Sequence, residues 1–300
     1  MNLLEKKMVE TLIDLKENHH VVGIKAEFEA EGTRLEEALR LKEVVTRAGL
    51  DLAIKVGGCE AIKDMYDART IGVNTIIAPM IETAYAMKKY VMATKFVFPE
   101  EERKEIKFLI NTETITGFNN IDEMIQSEYF DEINGIVLGR VDMTGSMGLT
   151  REDINSDEIF NLANVLATKM QKLNKDFVIG GGVSAHSLPF FKKLPQNSLS
   201  RFETRKIIFD AKKALNDKNA DKGILKAVGF ELMWLKNKRE FYKMIFDEDA
   251  QRLNMLEARY KKLIDEAMMQ TNCVLWENPD WINVKNKVKW FYCKVFKRAL

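Results

Sequence analysis

Two carboxylates follow consecutive apolar segments of the sequence, each at the point where a predicted strand ends. Glu113 lies at the end of residues 107–114, and Asp142 lies at the end of residues 135–142. Adjacent parallel strands are about 4.8 Å apart, so carboxylates at neighbouring strand ends can reach one ion. Oxygen ligands without a nearby cysteine or histidine suit Mg²⁺ or Mn²⁺ better than zinc. The pair therefore predicts a divalent-metal site with positions left open for water and a 2-oxo acid.

Two cations lie near these carboxylates in the predicted arrangement. Lys55 ends the strand predicted within residues 51–58, and Arg140 precedes Asp142 by two positions. Side chains at positions i and i+2 of a strand share a face, so Arg140 is expected beside Asp142. Either cation could stabilise negative charge that develops on a substrate oxygen. Lys55 could instead form a Schiff base in a metal-free aldolase, but the Glu113 and Asp142 pair favours the metal.

The sequence leaves the acid/base residue open between a histidine and two glutamates. His186 follows a predicted strand at its carboxyl end. Glu27 and Glu29 share one face of the strand predicted within residues 21–29, where burial could raise a carboxyl pKa into a useful range. We predict Glu29 and His186 as the candidates for proton transfer and Glu27 as a substrate contact.

Two further pairs complete the predicted rim. Gly181 and Gly182 belong to the turn GGGVS, whose backbone amides could bind a substrate carboxylate or phosphate. Glu203 and Arg205 share a face of the last predicted strand. They could form a structural ion pair that closes the barrel, or they could bind an acidic substrate.

The elements that must position these residues alternate between apolar segments and helical patterns. The predicted strands lie within residues 21–29, 51–58, 74–82, 107–114, 135–142, 176–183 and 200–209. Their apolar residues are mostly continuous, which is typical of parallel strands covered on both faces. We predict an α/β fold of the (β/α)8 TIM-barrel type. The missing eighth strand is expected before residue 21, where the sequence itself indicates a helix, or else the barrel departs from the standard form.

The domain prediction separates a barrel from a helical extension. Residues 1–215 are predicted to form the barrel with an N-terminal helix, and residues 216–300 a helical extension that packs on the barrel or on a partner subunit. The last segment, residues 281–300, is basic and aromatic. It is typical of an amphipathic helix on its own barrel, with a partner subunit or a membrane surface as alternatives.

The composition restricts the classes of function. Forty-six basic and 45 acidic residues give a net charge of +1, so there is no global attraction for nucleic acid. No apolar segment reaches the roughly 18–20 residues that a membrane span needs. The cysteines Cys59, Cys273 and Cys293 are far apart, which favours a reducing compartment. We therefore expect a cytoplasmic protein.

Residues 107–148 resemble the signature of the HpcH/HpaI aldolase/citrate lyase family. In that family one strand ends in a metal-binding Glu, and the next carries G-x-x-D-[LM] followed by S-x-G. The matching residues here are Glu113-Thr114, Gly117, Asn120-Ile121-Asp122-Glu123, Gly139, Asp142-Met143 and Ser146-Met147-Gly148. The resemblance covers roughly residues 21–210 and departs from the family at Lys55, where an arginine is usual.

The resemblance implies a mechanism, partners and an assembly. It implies a lyase in which a metal held by Glu113 and Asp142 stabilises an enolate of pyruvate or a related 2-oxo acid, with Gly139 near the substrate. The co-substrate would be an aldehyde or acyl compound of unknown identity, and the protein would be a homo-oligomer. Two alternatives stay open: a non-catalytic barrel that serves as a binding or scaffold subunit, and a phosphoenolpyruvate-type mutase or hydrolase on the same site.

Overall fold

The computed structural model describes the backbone of residues 1–271 and the side chains of residues 1–266. The strands are β1 (Val21–Glu27), β2 (Asp51–Lys55), β3 (Thr75–Ala78), β4 (Lys107–Thr112), β5 (Gly135–Gly139), β6 (Asp176–Gly180), β7 (Arg201–Glu203) and β8 (Ile207–Asp210). The α-helices are α1 (Leu3–His19), α2 (Leu35–Arg47), α3 (Ile62–Ile71), α4 (Ala84–Val97), α5 (Glu100–Glu105), α6 (Ile115–Asn119), α7 (Ile121–Gln126), α8 (Arg140–Ser146), α9 (Asp157–Lys172), α10 (Leu188–Lys193), α11 (Ala211–Ala214) and α12 (Ala220–Thr271). Short 3-10 helices occupy Glu128–Glu132, Arg151–Asn155 and Ala185–Ser187.

The eight strands of the described chain close into a barrel in sequence order, which confirms the predicted fold class. Strands β1 to β7 pair in parallel. Strand β8 is antiparallel to both β7 and β1. The expectation of an eighth strand before residue 21 was therefore wrong. The segment 200–209 contains two strands, because the polar residues 204–206 form a tight turn in which the amide of Thr204 donates to the carbonyl of Ile207 at 2.9 Å.

The barrel interior explains why the strands read as continuous apolar segments. One buried side chain from each of six strands forms a layer at mid-height: Ala53, Ile77, Leu109, Val137, Val178 and Ile208. The alternate strand residues, such as Ile54, Ile76 and Ile136, are buried in the larger core with the helices. Both faces of each strand are thus apolar, as a parallel sheet covered by helices requires.

Charged residues close the end of the barrel where the parallel strands begin. Asp176, the first residue of β6, pairs with Lys107 at 3.0 Å and with Arg201. Burial alone would raise the pKa of Asp176, but Arg201 and Lys107 outweigh it and hold that pKa below its usual value. Gly135 lies against the same residue, where a Cβ would be 2.1 Å from the Asp176 carbonyl oxygen. Ion pairs and close packing therefore occupy this end of the barrel, and the predicted site residues follow the strands at the opposite end.

Helix α1 and the first turns of α12 belong to one compact unit with the barrel, residues 1–237. Their apolar faces are buried at Met8, Leu12, Leu15, Ile224, Ala227, Phe230 and Trp234. Asn237 of α12 accepts a hydrogen bond from the Asn2 amide at 2.7 Å and donates to Glu5 at 3.3 Å. The compact unit thus extends beyond residue 215, and the predicted boundary at 215/216 stays a prediction.

The second unit begins at residue 238 and contains the remainder of α12. Many large apolar side chains of this remainder are exposed, among them Met244, Phe246, Leu253 and Leu263. No helix within the described residues is long and apolar enough to cross a membrane. The basic aromatic segment 281–300, together with Cys273 and Cys293, lies outside the described residues.

Candidate active site

The end of the barrel where the parallel strands terminate collects buried charges. Lys25 and Glu27 lie on β1, Lys55 ends β2, Glu113 follows β4, and Glu203 ends β7. All five side chains are buried. Because residues two apart on a strand share a face, the register of β1 and β2 turns these side chains inward above the apolar layer. We call this end the barrel mouth.

Glu113 is held by three donors from neighbouring strands and loops. Its Oε1 accepts a hydrogen bond from the backbone amide of Met80 at 3.0 Å. Its Oε2 accepts one from the Asn111 amide at 2.8 Å and lies 3.4 Å from the Lys55 Nζ. Burial raises the pKa of Glu113 more than these donors lower it, and the nearby Asp142 carboxylate raises it further. The Glu113 carboxylate is therefore fixed in position, but the nearby positive charge does not balance its negative charge.

Gly139 at the end of β5 makes room for Glu113. A Cβ at residue 139 would be 2.7 Å from the Glu113 Oε2 and 2.9 Å from its Cβ. A glycine is consequently needed for packing at this position. Its predicted contact with substrate stays a prediction.

Lys55 links Glu113 to a second glutamate. The Nζ atom lies 2.8 Å from the Glu29 Oε2 and 3.4 Å from the Glu113 Oε2. Burial alone would lower the pKa of Lys55, but Glu113, Glu29 and Glu27 outweigh it and raise that pKa. A lysine that stays protonated is a poor Schiff-base nucleophile, so these contacts favour an electrostatic role.

Asp142 lies on α8 rather than on a strand, because β5 ends at Gly139. Its side chain is exposed, and within the described part of the chain it has no hydrogen-bond or ion-pair partner. It acts on Glu113 by like-charge repulsion. A divalent cation would relieve that repulsion, so the residues present fit such an ion. No group of three or more histidine, cysteine or acidic residues with metal-ligand geometry occurs among the described residues, so water or substrate would have to supply the remaining ligands.

A second set of charges fills the mouth beside β1 and β7. The Lys25 Nζ lies 2.5 Å from the Glu203 Oε1 and 3.2 Å from the Glu27 Oε1. Burial alone would lower the pKa of Lys25, but Glu203 and Glu27 outweigh it and hold that pKa above its usual value. Gly180 leaves space for Glu203, since a Cβ there would be 3.1 Å from Oε1. The sequence analysis missed Lys25, although its spacing of two residues from Glu27 on one strand could have identified it.

The hairpin between β7 and β8 carries a third set of contacts. Arg205 pairs with Glu31 at 2.9 Å, and Lys206 pairs with the other oxygen of Glu31 at 2.5 Å. The predicted pairing of Arg205 with Glu203 on one strand face was wrong, because β7 ends at Glu203 and Arg205 lies in the turn. Lys206 is buried and was also missed by the sequence analysis.

The Arg140 side chain does not lie in the barrel mouth. Its guanidinium is fully buried and contacts the rings of Phe190 and Phe191. It donates hydrogen bonds to the carbonyls of Ile154, Gly180 and Gly181 and to the side chains of Asn155 and Ser187. Burial lowers its pKa to about 9. The strand-face argument fails here because Arg140 is the first residue of α8, so its contacts indicate a packing role.

Gly181, Gly182 and His186 follow β6, with both glycines at positive φ. A Cβ on Gly181 would lie 2.7 Å from the amide nitrogens of Arg140 and Val141, and one on Gly182 would lie 2.5 Å from the Ile154 side chain. Both glycines therefore allow close packing of this turn on α8 and its neighbour. His186 is exposed on a short 3-10 helix. A substrate contact by either glycine and proton transfer by His186 stay predictions.

Comparison with known proteins identifies the family. The sequence model of the HpcH/HpaI aldolase/citrate lyase family matches residues 21–176, more than half of the chain. The chain belongs to this family. A search of curated proteins gave no match. The family assignment supports an enzyme with a lyase-type barrel and places Glu113 and Asp142 within the matched region.

Solved structures of two HpcH/HpaI proteins and of a citrate synthase share the fold. An HpcH/HpaI aldolase from Desulfitobacterium hafniense DCB-2 has 12% identity and a TM-score of 0.54, over 68% of this chain and 83% of that one. A family protein from Burkholderia cenocepacia J2315 has 12% identity and a TM-score of 0.50, over 61% and 88%. The citrate synthase SbnG has 15% identity and a TM-score of 0.54, over 78% and 90%. At these identities the likeness shows the fold alone.

Proposed function

We propose that this HpcH/HpaI protein is a divalent-metal-dependent carbon–carbon lyase or aldolase that acts through an enolate of pyruvate or a related 2-oxo acid. The observation that carries the proposal is the buried Glu113 carboxylate, which contacts Lys55 and is repelled by the nearby Asp142 carboxylate. Glu113 and Asp142 would hold Mg²⁺ or Mn²⁺. The ion would supply Lewis-acid polarisation of the substrate carbonyl, which lowers the free energy of enolate formation.

Lys55 is proposed to bind the substrate rather than to react with it. Its raised pKa keeps it cationic, and its Nζ already lies among carboxylate oxygens. A substrate carboxylate or a developing oxyanion can be stabilised by the same charge. Lysine lacks the bidentate fork of the arginine that is usual in the family, so we expect a single contact at this position.

Glu29 is the residue that we propose for proton transfer. Its side chain is 26% exposed and pairs with Lys55, which places it between the mouth and solvent. Glu27 is less suited to donating a proton. Burial would raise its pKa, but Lys25, Lys55 and Arg205 outweigh that effect and lower it. A carboxyl group with a lowered pKa stays ionised at neutral pH.

The proposal is tested by exchange of deuterium into the methyl group of pyruvate, followed by nuclear magnetic resonance with and without Mg²⁺ or Mn²⁺. Exchange is expected to require metal and to fall by about 100-fold or more in Glu113→Gln and Asp142→Asn, since each removes a metal-binding charge. The matched control is Glu123→Gln, which makes the same chemical change at an exposed carboxylate of α7. Metal binding without exchange would instead indicate the phosphoenolpyruvate-type chemistry.

One observation favours the non-catalytic alternative. Both oxygens of Glu113 already have protein donors, so the chain itself holds this carboxylate in position. A scaffold subunit that kept the fold would have no need of metal affinity. Absence of both metal binding and exchange in the folded protein would support this second function and exclude the lyase.

A further inference from the structure

The loop between β1 and α2 carries two glutamates that contact different neighbours of β1. Strand β1 lies between β2 and β8 in the barrel. Glu29 pairs with Lys55, the last residue of β2. Glu31 pairs with two cations in the turn between β7 and β8. The loop is therefore attached on both sides of β1 at the barrel mouth, and we call residues 28–34 the β1–α2 loop.

The two cations that pair with Glu31 differ in burial. The Glu31 Oε1 lies 2.9 Å from the Arg205 Nε, and the Arg205 side chain is 60% exposed. The Glu31 Oε2 lies 2.5 Å from the Lys206 Nζ, and the Lys206 side chain is 4% exposed. An exposed ion pair contributes little, whereas loss of one partner from a buried pair leaves an uncompensated charge. We therefore expect the contact with Lys206 to hold Glu31 in place.

Lys206 is itself fixed by contacts outside the β1–α2 loop. Its backbone amide donates to the Glu231 Oε1 of α12 at 3.0 Å, and its carbonyl accepts from the Lys25 amide at 2.7 Å. Its Nζ lies 5.9 Å from the centre of the Trp234 ring. Burial lowers the pKa of Lys206, and the charge of Glu31 is the strongest effect that opposes this shift. Lys206 is therefore a fixed point to which the loop is attached through Glu31.

Glu29 has weaker attachments than Glu31. Among the described side chains its one ion-pair partner is Lys55, and the Glu29 side chain is 26% exposed. The amide of Gly32 donates to the carbonyl of Glu29 at 3.2 Å, but Ala30 and Gly32 are both exposed. An exposed loop with few packed side chains opens easily unless another contact holds it. The position of Glu29 therefore depends on Glu31, two residues further along the loop.

We propose that Lys206 is a positioning residue that acts through Glu31, holding the β1–α2 loop so that Glu29 stays beside Lys55. The inference rests on the proposed function for the role of Glu29 in proton transfer. A group that transfers a proton must stay within hydrogen-bond reach of the reacting atom. Release of the loop is therefore expected to slow proton transfer in the bound complex more than it weakens substrate binding.

Amide hydrogen exchange of the full-length protein, followed by mass spectrometry, tests the attachment of the loop. Lys206→Met is expected to speed exchange in residues 28–34 by about 10-fold or more, because opening no longer breaks a buried ion pair. Arg205→Met removes the exposed partner and is expected to change this exchange by about twofold or less. Glu31→Ala should match Lys206→Met. Glu36→Ala, at an exposed position of α2, is the matched control and should change nothing.

The catalytic consequence is measured as exchange of deuterium into the methyl group of pyruvate at several pyruvate concentrations. Glu31→Ala is expected to lower kcat about 10-fold and to change KM by about twofold or less. In a Glu29→Gln background, Glu31→Ala is expected to lower kcat no further, because both changes then affect the same group. A general loss of structure would instead lower kcat in both backgrounds.

The two measurements separate this inference from the proposed function. Unchanged amide exchange in Lys206→Met and Glu31→Ala would overturn the inference, and so would equal effects of Lys206→Met and Arg205→Met. Additive losses of kcat in Glu31→Ala and Glu29→Gln would also overturn it, since Glu31 would then not act through Glu29. A wild type without pyruvate exchange would contradict the proposed function, and amide exchange would still decide whether Lys206 holds the loop.

Discussion

The barrel mouth contains two charge clusters of the same residue types that differ in charge balance and exposure. We call Lys25, Glu27 and Glu203 the Lys25 cluster, and Lys55, Glu29, Glu113 and Asp142 the Lys55 cluster. In the Lys25 cluster every side chain is at most 11% exposed and the shortest ion pair is 2.5 Å. In the Lys55 cluster one lysine contacts two carboxylates, Glu29 and Glu113, and a third carboxylate, Asp142, is exposed and unpaired among the described side chains.

The difference in charge balance and exposure suits the Lys25 cluster to a structural role and the Lys55 cluster to binding. Buried charges are tolerated when each has a partner, and the Lys25 cluster approaches that condition. The Lys55 cluster keeps an excess of negative charge at an opening to solvent, which destabilises Glu113 as an anion and raises its pKa. A site with uncompensated carboxylates next to solvent is suited to an added cation. We therefore propose that the Lys25 cluster packs the barrel and that the Lys55 cluster carries the chemistry.

The largest expected effect is on stability after loss of one lysine. Lys25→Met leaves Glu27 and Glu203 buried without their shared ion-pair partner, and we expect a loss of about 3–5 kcal/mol in the free energy of unfolding. Lys55→Met should lose only about 1–2 kcal/mol, because Glu29 is partly solvated and Glu113 can become protonated. Urea denaturation measures both.

Lys6→Met, at an exposed position of α1, is the matched control for these variants. It is expected to change the free energy of unfolding by less than about 0.5 kcal/mol. Equal losses for Lys25→Met and Lys55→Met would contradict the distinction between the two clusters.

The next effect concerns stabilisation by metal. An ion that binds the folded protein only should add about 2.7 kcal/mol to the free energy of unfolding at 100 times its dissociation constant. We expect this increment with Mg²⁺ or Mn²⁺ in the wild type and not in Asp142→Asn. Glu203→Gln alters the Lys25 cluster. This variant is expected to keep the metal-dependent increment, even if its free energy of unfolding without metal differs from that of the wild type. Loss of the increment in Glu203→Gln but not in Asp142→Asn would reverse our assignment.

The fold was predictable from the sequence because most of its signals are local. Continuous apolar segments that end in polar residues indicated seven of the strand positions, and the structure closes them into a barrel. The eighth strand was misplaced because three residues suffice for the turn between β7 and β8. Within residues 200–209 a short hairpin and one long strand give the same apolar pattern, so periodicity could not separate them.

The candidate site was predictable where its residues lie at the ends of strands. Glu113 and Lys55 lie in the mouth as their strand-end positions suggested, whereas Arg140 does not, because strand alternation stops once α8 begins. Lys25 and Lys206 were missed because the sequence gives no local sign of their closest partners, although Glu27 shares a strand face with Lys25. Glu203 and Glu31 are 178 and 175 residues away from them in the chain, so these ion pairs depend on barrel closure.

The smallest expected effect is a change in the pH dependence of stability. The pKa of Glu113 in the folded protein is above its ordinary value of 4.5, so the folded state binds more protons than the unfolded state between those two values. The contribution of Glu113 to the free energy of unfolding is therefore lost as the pH rises from the unfolded-state pKa through the folded-state pKa. Glu113→Gln removes this loss, so we expect the free energy of unfolding of the variant to rise relative to that of the wild type as the pH rises from 4 to 7 without metal. Urea denaturation at pH 4 and pH 7 measures the difference. If the free energy of unfolding depended on pH in Glu113→Gln as it does in the wild type, the Lys55 cluster would not raise the pKa of Glu113.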